Sequence, residues 1–507
     1  MLTKQTSEEN VLDEVYQLHD DDDDDADDVC IGRVASVVWI VESIGYYVGP
    51  LQSVIATGFL LIALRTHHSL LSFLIHPTKQ LKTMSKNVST PALHHAYEPA
   101  ANNGSTAVPL YQANAFAFES CDHAAGVFDL QIPAYLYTRL NNPTTDVLEQ
   151  RLAALEGGVG AVATASGMSA IATTIFTLLR TGDHIVASSS VYGGTYNLLS
   201  VTLPRLGITT TFVDAADPKN FEAAIQPNTK LVYAETLGNP KLDFVDIAAV
   251  ADVAHAHSLP LVVDNTLTPV LCRPIEHGAD IVIYSLTKYF CGNGTAMGGA
   301  IIDSGKFDWT NGKFPDFTEP SPGYHGLRYS ETFGSAAFIV RARVEGLRDL
   351  GSCLSPTNSF IFIQGLETLA LRIQHASQSA LEIARWLQDQ PEVAWVNYPG
   401  LETDKHHAIC DRYLQGGFGC IITFGLKQGY EAAKSFVDST EIFRIVANLG
   451  DTKSLIIHPA STTHRQLSEE QQRSAGVTPD LVRLSIGIEG VEDLKADIAQ
   501  ALKKSTK

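Results

Sequence analysis

Ala279-Asp-Ile-Val-Ile-Tyr-Ser-Leu-Thr-Lys288, followed by the glycine-rich run from Gly292 to Gly299, is the stretch from which the fold can be read. A short apolar strand runs into Ser285 and Thr287, and Lys288 stands in the turn beyond. Open α/β sheets bind ligands at the carboxyl ends of their strands. The stretch therefore puts an amine and two hydroxyls where a ligand would sit. A lysine there can be desolvated, which lowers its pKa and frees its amine to attack a carbonyl. A surface lysine after a strand would give the same local pattern.

A second strand end sharpens the reading. Leu259-Pro-Leu-Val-Val-Asp264-Asn-Thr is another apolar run that ends in a carboxylate. An aspartate is rarely buried without a partner. It can be a helix N-cap or turn residue, or it can face a cation such as a pyridinium nitrogen. Pyridoxal phosphate enzymes pair a Schiff-base lysine with a charged partner at that nitrogen. Asp264 and Lys288 on successive strand ends favour such a cofactor.

Around these two runs, strands and helices alternate, as in a parallel sheet with helical crossovers on both faces. Strands are expected at 160–164, 183–188, 209–213, 230–235, 259–264 and 279–285, with helices at 145–155, 170–179 and 247–256. The fold class is α/β, with a mostly parallel sheet and a smaller C-terminal α/β unit. One long helix is expected over 359–387, after an aromatic and glycine-rich insertion through Phe307, Trp309, Phe314 and Tyr324. The expected organisation is an N-terminal extension at 1–83, an arm at 84–145, a large domain at 146–350 and a C-terminal domain at 351–507.

At 507 residues, the chain is long enough for two or three domains. A net charge of -20 disfavours nucleic acid and anionic membrane surfaces as partners. Seven scattered cysteines form no C-x-x-C pair, so neither a zinc site nor a disulfide framework is indicated, and no metal is expected. A reducing cytoplasm is the simplest compartment. The first 83 residues differ from the rest. Asp20 to Asp28 is an acidic block, and 43–64 is free of charge and long enough for a bilayer, which needs ~20 residues. Three readings stand for this extension: a membrane anchor within 34–64, an appendage, or sequence upstream of a start at Met84. The last is preferred.

Other residues suggest the ligand's surroundings. Ser166-Gly167-Met168 opens a helix after a strand, and helix N-termini bind phosphates. Ser285, Thr287 and Arg139 can add donors to the same group. Taken alone, Arg139 reads first as a solvated arm residue. Tyr192 follows a strand at the same sheet edge, where its ring can stack on a planar ligand or pack the rim. Arg483 stands in an apolar strand and needs an anion, either a substrate carboxylate or a structural salt bridge. His458 and His464 read as structural.

Several motifs carry a family resemblance. They are Tyr137-Thr-Arg-Leu-Asn-Asn-Pro-Thr, Ala165-Ser-Gly-Met, Val191-Tyr-Gly-Gly-Thr-Tyr, Glu235-Thr-Leu-Gly-Asn-Pro, Val263-Asp-Asn-Thr, Ser285-Leu-Thr-Lys, Gly323-Tyr-His-Gly and His458-Pro-Ala-Ser-Thr-Thr-His. From Met84 onward the chain resembles the Cys/Met-metabolism family of pyridoxal phosphate enzymes, and within it the O-acetylhomoserine sulfhydrylases. The resemblance does not extend to 1–83. It implies a fold-type I transferase in which Lys288 holds pyridoxal 5'-phosphate as a Schiff base and acts as the base. Asp264 would pair with the ring nitrogen, and Tyr192 would stack and take part in catalysis. Gly167, Met168, Ser285 and Thr287 would hold the phosphate, joined by Tyr137 and Arg139 of a neighbouring subunit in a homo-oligomer. Asn239, Ser454 and Arg483 would orient the substrate carboxylate. The implied reaction is γ-replacement on O-acetylhomoserine with sulfide, giving homocysteine. Alternatives are a cystathionine γ-synthase, a methionine or cystathionine γ-lyase, or a membrane-tethered relative without catalysis. Lys453 fits the sulfhydrylases, since many cystathionine-handling relatives carry Glu there. The departures are Asn293 in place of a usual His, and Gln112-Ala-Asn-Ala in place of Gln-Thr-Thr-Ser.

Overall fold

The computed structural model describes residues 88–466, 468–474 and 476–505. The expected extension at 1–83, including the possible anchor, lies outside the described residues. Among the described residues no helix is long and apolar enough to cross a membrane.

The expected alternation forms a seven-stranded sheet. Its strands are β1 (Gly160–Thr164), β2 (His184–Ser188), β3 (Thr209–Val213), β4 (Thr229–Glu235), β5 (Leu261–Asp264), β6 (Ile281–Tyr284) and β7 (Gly299–Asp303). Their order is β1-β7-β6-β5-β4-β2-β3. β7 is antiparallel to both of its neighbours, while the pairs from β6 to β3 are parallel. β7 was not expected from the sequence, where the glycine run masked its short apolar core of Ala300, Ile301 and Ile302. A strand buried on both faces reads as an apolar run without alternation. Side chains nevertheless alternate between two separate cores: Val232, Ala234 and Val263 on one face, Leu231, Tyr233 and Val262 on the other.

The aromatic insertion is part of the second core. Trp309 stacks on Phe317 and Phe338, at ring separations of 4.6 and 5.4 Å. Helix α1 (Pro143–Glu156) starts from an Asn142 side chain that accepts the Thr144 N–H, and ends at Gly157 in the left-handed conformation. α2 (Gly167–Leu178) and α3 (Ile247–Ala256) are crossovers, capped by Ser166 and Asp246.

The single long helix expected over 359–387 is two helices, α4 (Pro356–Glu367) and α5 (Leu369–Gln388), broken at Thr368. The cause is tertiary. A Cβ on Gly365 would lie 2.0 Å from the Phe290 carbonyl, so α4 rests directly on the chain that follows Lys288. Arg372 fills the break, donating to the carbonyls of Gly365 and Tyr289 at 2.7 and 2.8 Å.

A second sheet contains β8 (Val393–Asn397), β9 (Ile421–Leu426), β10 (Arg444–Ile445), β11 (Leu455–Ile457) and β12 (Leu481–Ser485), in the order β10-β11-β12-β9-β8. Ile422, Phe424, Val482 and Leu484 pack with Ile383, Phe436 and Ile498 as a third core.

Candidate active site

The carboxyl ends of β2, β4, β5 and β6 bring the predicted groups together. Lys288 follows β6 in a turn, and its Nζ donates to Asn448 Oδ1 at 2.6 Å. Burial lowers its pKa, and the nearby Arg483 cation lowers it further. Its amine is thus more readily freed for attack on a carbonyl. The loop beyond it is closed at the base by Thr287 and Gly298. The Thr287 hydroxyl donates to the Gly298 carbonyl at 3.2 Å and accepts the Gly298 N–H at 3.1 Å.

Asp264 ends β5 and stands in register with Glu235, which ends β4. Two carboxylates on adjacent parallel strands, with the Tyr233 ring on the same face, are costly to ionise together. Burial pushes Asp264 up to about 6. Glu235 is pushed well above the usual carboxylate range, first by burial and then by Asp264. The pair therefore has room for a cation. Behind it, Asn265 is fully buried, and its Oδ1 accepts the hydroxyls of Thr236 and Thr268 at 2.8 and 2.6 Å. Its amide nitrogen donates to the Tyr284 hydroxyl at 2.6 Å, which fixes the ends of β4, β5 and β6 relative to one another.

Ser166, Gly167 and Met168 open α2 beside Ser285. A Cβ on Gly167 would stand 2.8 Å from Ser285 Cβ, so only glycine lets the helix end approach this closely. The N–H groups of the first helical turn have no preceding carbonyl to bind, and the helix dipole favours an anion there. Tyr192 is 54% exposed, and its N–H donates to Glu235 Oε1 at 2.6 Å. Gly194, against which both Tyr192 and the Met168 sulfur pack, joins the tyrosine to the start of α2.

Arg483, from β12 of the second sheet, resolves the choice left open by the sequence. It is 8% exposed, and no carboxylate pairs with it among the described residues. Nη1 donates to Asn239 Oδ1 at 3.1 Å and Nη2 to the Asn448 carbonyl at 2.8 Å, while Nε has no partner. Burial lowers its pKa to about 10. A buried cation held only by neutral oxygens is a seat for an anionic ligand.

One expected placement changes. Ser454 does not open toward Arg483. It is fully buried, its hydroxyl donates to Glu489 Oε2 at 2.8 Å and accepts the Gly487 N–H at 2.9 Å. Its hydroxyl proton is committed to Glu489, whose Oε1 also accepts the Ser454 N–H at 2.7 Å. Asn448, which the sequence reading passed over, stands instead between Lys288 and Arg483. The signal was a polar residue immediately before Leu449-Gly450, where the chain turns back toward the lysine loop. Within the chain, Arg139 donates to the Arg348 carbonyl at 3.1 Å and its guanidinium lies 5.5 Å from the centre of the Tyr137 ring. Neither residue is drawn into the group around Lys288 by any contact. Among the described residues no cluster could hold a metal ion.

Residues 89–503 match the family model described as Cys/Met metabolism PLP-dependent enzyme. The chain belongs to this family. It is 53% identical over 440 residues to an O-acetyl-L-homoserine sulfhydrylase of Leptospira meyeri, covering 85% of this chain and all of that protein. A homocysteine synthase of Schizosaccharomyces pombe is 49% identical, covering 82% of this chain and 98% of that one. A Campylobacter jejuni crystal structure, described as an O-acetylhomoserine (thiol)-lyase with a pyridoxyl-lysine, matches at a TM-score of 0.80 and 42% identity. That match covers 82% of this chain and 100% of the other. The cofactor of this family member is pyridoxal phosphate, and the residues present fit it. A desolvated amine, a buried aspartate and a helix N-terminus with glycine at its head suit the aldehyde, the ring nitrogen and the phosphate of the cofactor.

Proposed function

We propose that this enzyme converts O-acetyl-L-homoserine and sulfide to L-homocysteine and acetate. The observation that carries the reading is Arg483, a buried cation without a carboxylate partner among the described residues, which shares Asn448 with Lys288. An α-carboxylate on Arg483 and Asn239 keeps the α-carbon of an amino acid beside the lysine amine. The relatives named as sulfhydrylases and homocysteine synthases support the acylated homoserine and the sulfide.

When bound, the cofactor supplies an electron sink for negative charge at the substrate α-carbon. Asp264 would hold the ring nitrogen as a cation, and Gly167, Met168, Ser285 and Thr287 would take the phosphate. Thr287 would turn its hydroxyl proton from the Gly298 carbonyl to do so, while still accepting the Gly298 N–H. Tyr192, exposed at the same sheet edge, would stack on the ring. Lys288 removes the α-proton as general base and manages the proton moved between the α- and β-carbons. Loss of a β-proton supplies the pair that expels acetate as the Cγ–O bond breaks, hydrosulfide then forms the Cγ–S bond, and protons are returned to Cβ and Cα.

The enzyme acts as a homo-oligomer in which Tyr137 and Arg139 complete the phosphate site of a neighbouring subunit. Support comes from Tyr137, which is 40% exposed, and from the distance in sequence and contact between this arm and its own lysine loop. A cytoplasmic setting suits the free cysteines, of which Cys272, Cys291, Cys410 and Cys420 are buried as thiols.

Purified enzyme is assayed for homocysteine with O-acetylhomoserine and sulfide, beside O-succinylhomoserine as donor and cysteine as acceptor. Homocysteine as the main product supports the reading. Cystathionine with cysteine, or 2-oxobutyrate without any acceptor, as the main product would replace it with a synthase or a lyase.

A further inference from the structure

We propose that Asp243 is a positioning residue that ties the loop carrying Tyr192 to the hairpin carrying Asn239. The inference rests on reading Arg483 and Asn239 as the substrate-carboxylate seat. The hairpin follows β4. Leu237 and Phe244 pair across its base, the Gly238 N–H donates to the Asp243 carbonyl at 2.9 Å, and the Leu242 N–H donates to the Gly238 carbonyl at 2.8 Å. Its tip presents Asn239 to Arg483.

The side chain of Asp243 points back across the sheet edge. Its Oδ1 accepts the Ser190 hydroxyl at 2.6 Å, and its Oδ2 pairs with Lys241 Nζ at 3.2 Å. Ser190 lies two residues before Tyr192, whose own N–H is held by Glu235. The Ser190–Asp243 bond is pressed against the hairpin backbone. A Cβ on Gly238 would fall 2.2 Å from Asp243 Oδ1 and 2.5 Å from Ser190 Oγ. Displacement of the Tyr192 loop therefore has to move the turn that presents Asn239. The Lys241 carbonyl in turn accepts the Asn397 side-chain amide of β8 at 2.8 Å, which fastens the hairpin to the second sheet. Asp243 is 8% exposed, so the bond is shielded from water and competes little with it.

Through this bond, the ring-covering tyrosine and the carboxylate-orienting asparagine are set by one carboxylate that touches neither ligand. Charge-assisted hydrogen bonds of this kind are strong enough to fix a loop. Removing it loosens both loops together.

The test uses holoenzyme carrying Asp243→Ala, Ser190→Ala or both. L-Norleucine, an amino acid with no γ leaving group, is titrated and followed by visible circular dichroism of the cofactor, and thermal melting reports folding. Each single variant is expected to weaken norleucine binding about ten-fold and to reduce the cofactor dichroism. The double variant should be no weaker than either single, because one shared bond is removed once. Ser190→Thr, which keeps the hydroxyl, should restore binding, and it carries the test with Ser190→Ala if Asp243→Ala fails to fold. Single variants that bind within about two-fold of wild type, or effects that add in the double variant, overturn the proposal. Arg483→Lys tests the underlying reading separately: unchanged norleucine binding there would remove the carboxylate seat itself, whatever the clamp variants do.

Discussion

Replacing Arg483 by lysine keeps a positive charge in the site but removes the planar fork. The guanidinium now spends one donor on Asn239 and one on the Asn448 carbonyl, leaving Nε and the outer Nη hydrogens for an anion. A lysine ammonium has three donors on one centre and cannot meet two carboxylate oxygens while also holding Asn239 and Asn448. Two charge-assisted bonds are lost at roughly 1.5 kcal/mol each, the lower end of their range, or about 3 kcal/mol in all. That corresponds to a fall on the order of 100-fold in kcat/KM for O-acetylhomoserine. The assay is initial-rate kinetics with each substrate varied in turn, together with melting of the ligand-free protein. The loss should fall on O-acetylhomoserine and leave KM for sulfide unchanged. Arg483→Met gives the complementary result. It removes a buried cation that has no carboxylate partner among the described residues, so turnover should vanish while the melting temperature holds or rises. A fall of less than about five-fold in Arg483→Lys, or a loss carried by sulfide, would refute the carboxylate seat.

Asp264 provides a pH test on the apoprotein. Its pKa is raised from 3.8 to about 6 on folding, so the folded state binds more protons than the unfolded state between those values. Stability therefore falls as pH rises through that window, and melting of Asp264→Asn should lose that part of the slope and exceed wild type at pH above about 6. The same variant should bind pyridoxal phosphate more weakly, read as the dissociation constant of the cofactor. Gly167→Ala inserts a methyl 2.8 Å from Ser285 Cβ, and should lower cofactor affinity about ten-fold or more while changing KM for sulfide little. Trp309→Ala empties the aromatic cluster behind the sheet and should cost about 3–5 kcal/mol in denaturant unfolding, with the visible spectrum of the folded enzyme retained.

The sequence by itself determined the sheet and its ligand edge. Apolar runs ending in Asp264 and Ser285, separated by helical crossovers, admit few folds other than a parallel sheet, because strands buried on both faces must be apolar throughout. Ser166-Gly167 at a helix start and Lys288 in a turn were legible for the same reason: local chemistry dictates local conformation. The motifs then carried the family resemblance, and with it the roles of Tyr192 and Asn239. What only the tertiary structure decided were relations between distant segments. Arg483 can still be read as a salt-bridge residue until it is seen that no carboxylate pairs with it among the described residues. Ser454 and Asn448 lie six positions apart in one polar loop, and nothing local says that Glu489 takes the first and Lys288 the second. The break at Thr368 depends on Gly365 meeting Phe290, 75 residues away in the chain, and β7 on two partners that supply its hydrogen bonds. Helical periodicity and burial are local averages over a segment. Which donor meets which acceptor is set by packing between segments, and that information exists only once the chain has closed on itself.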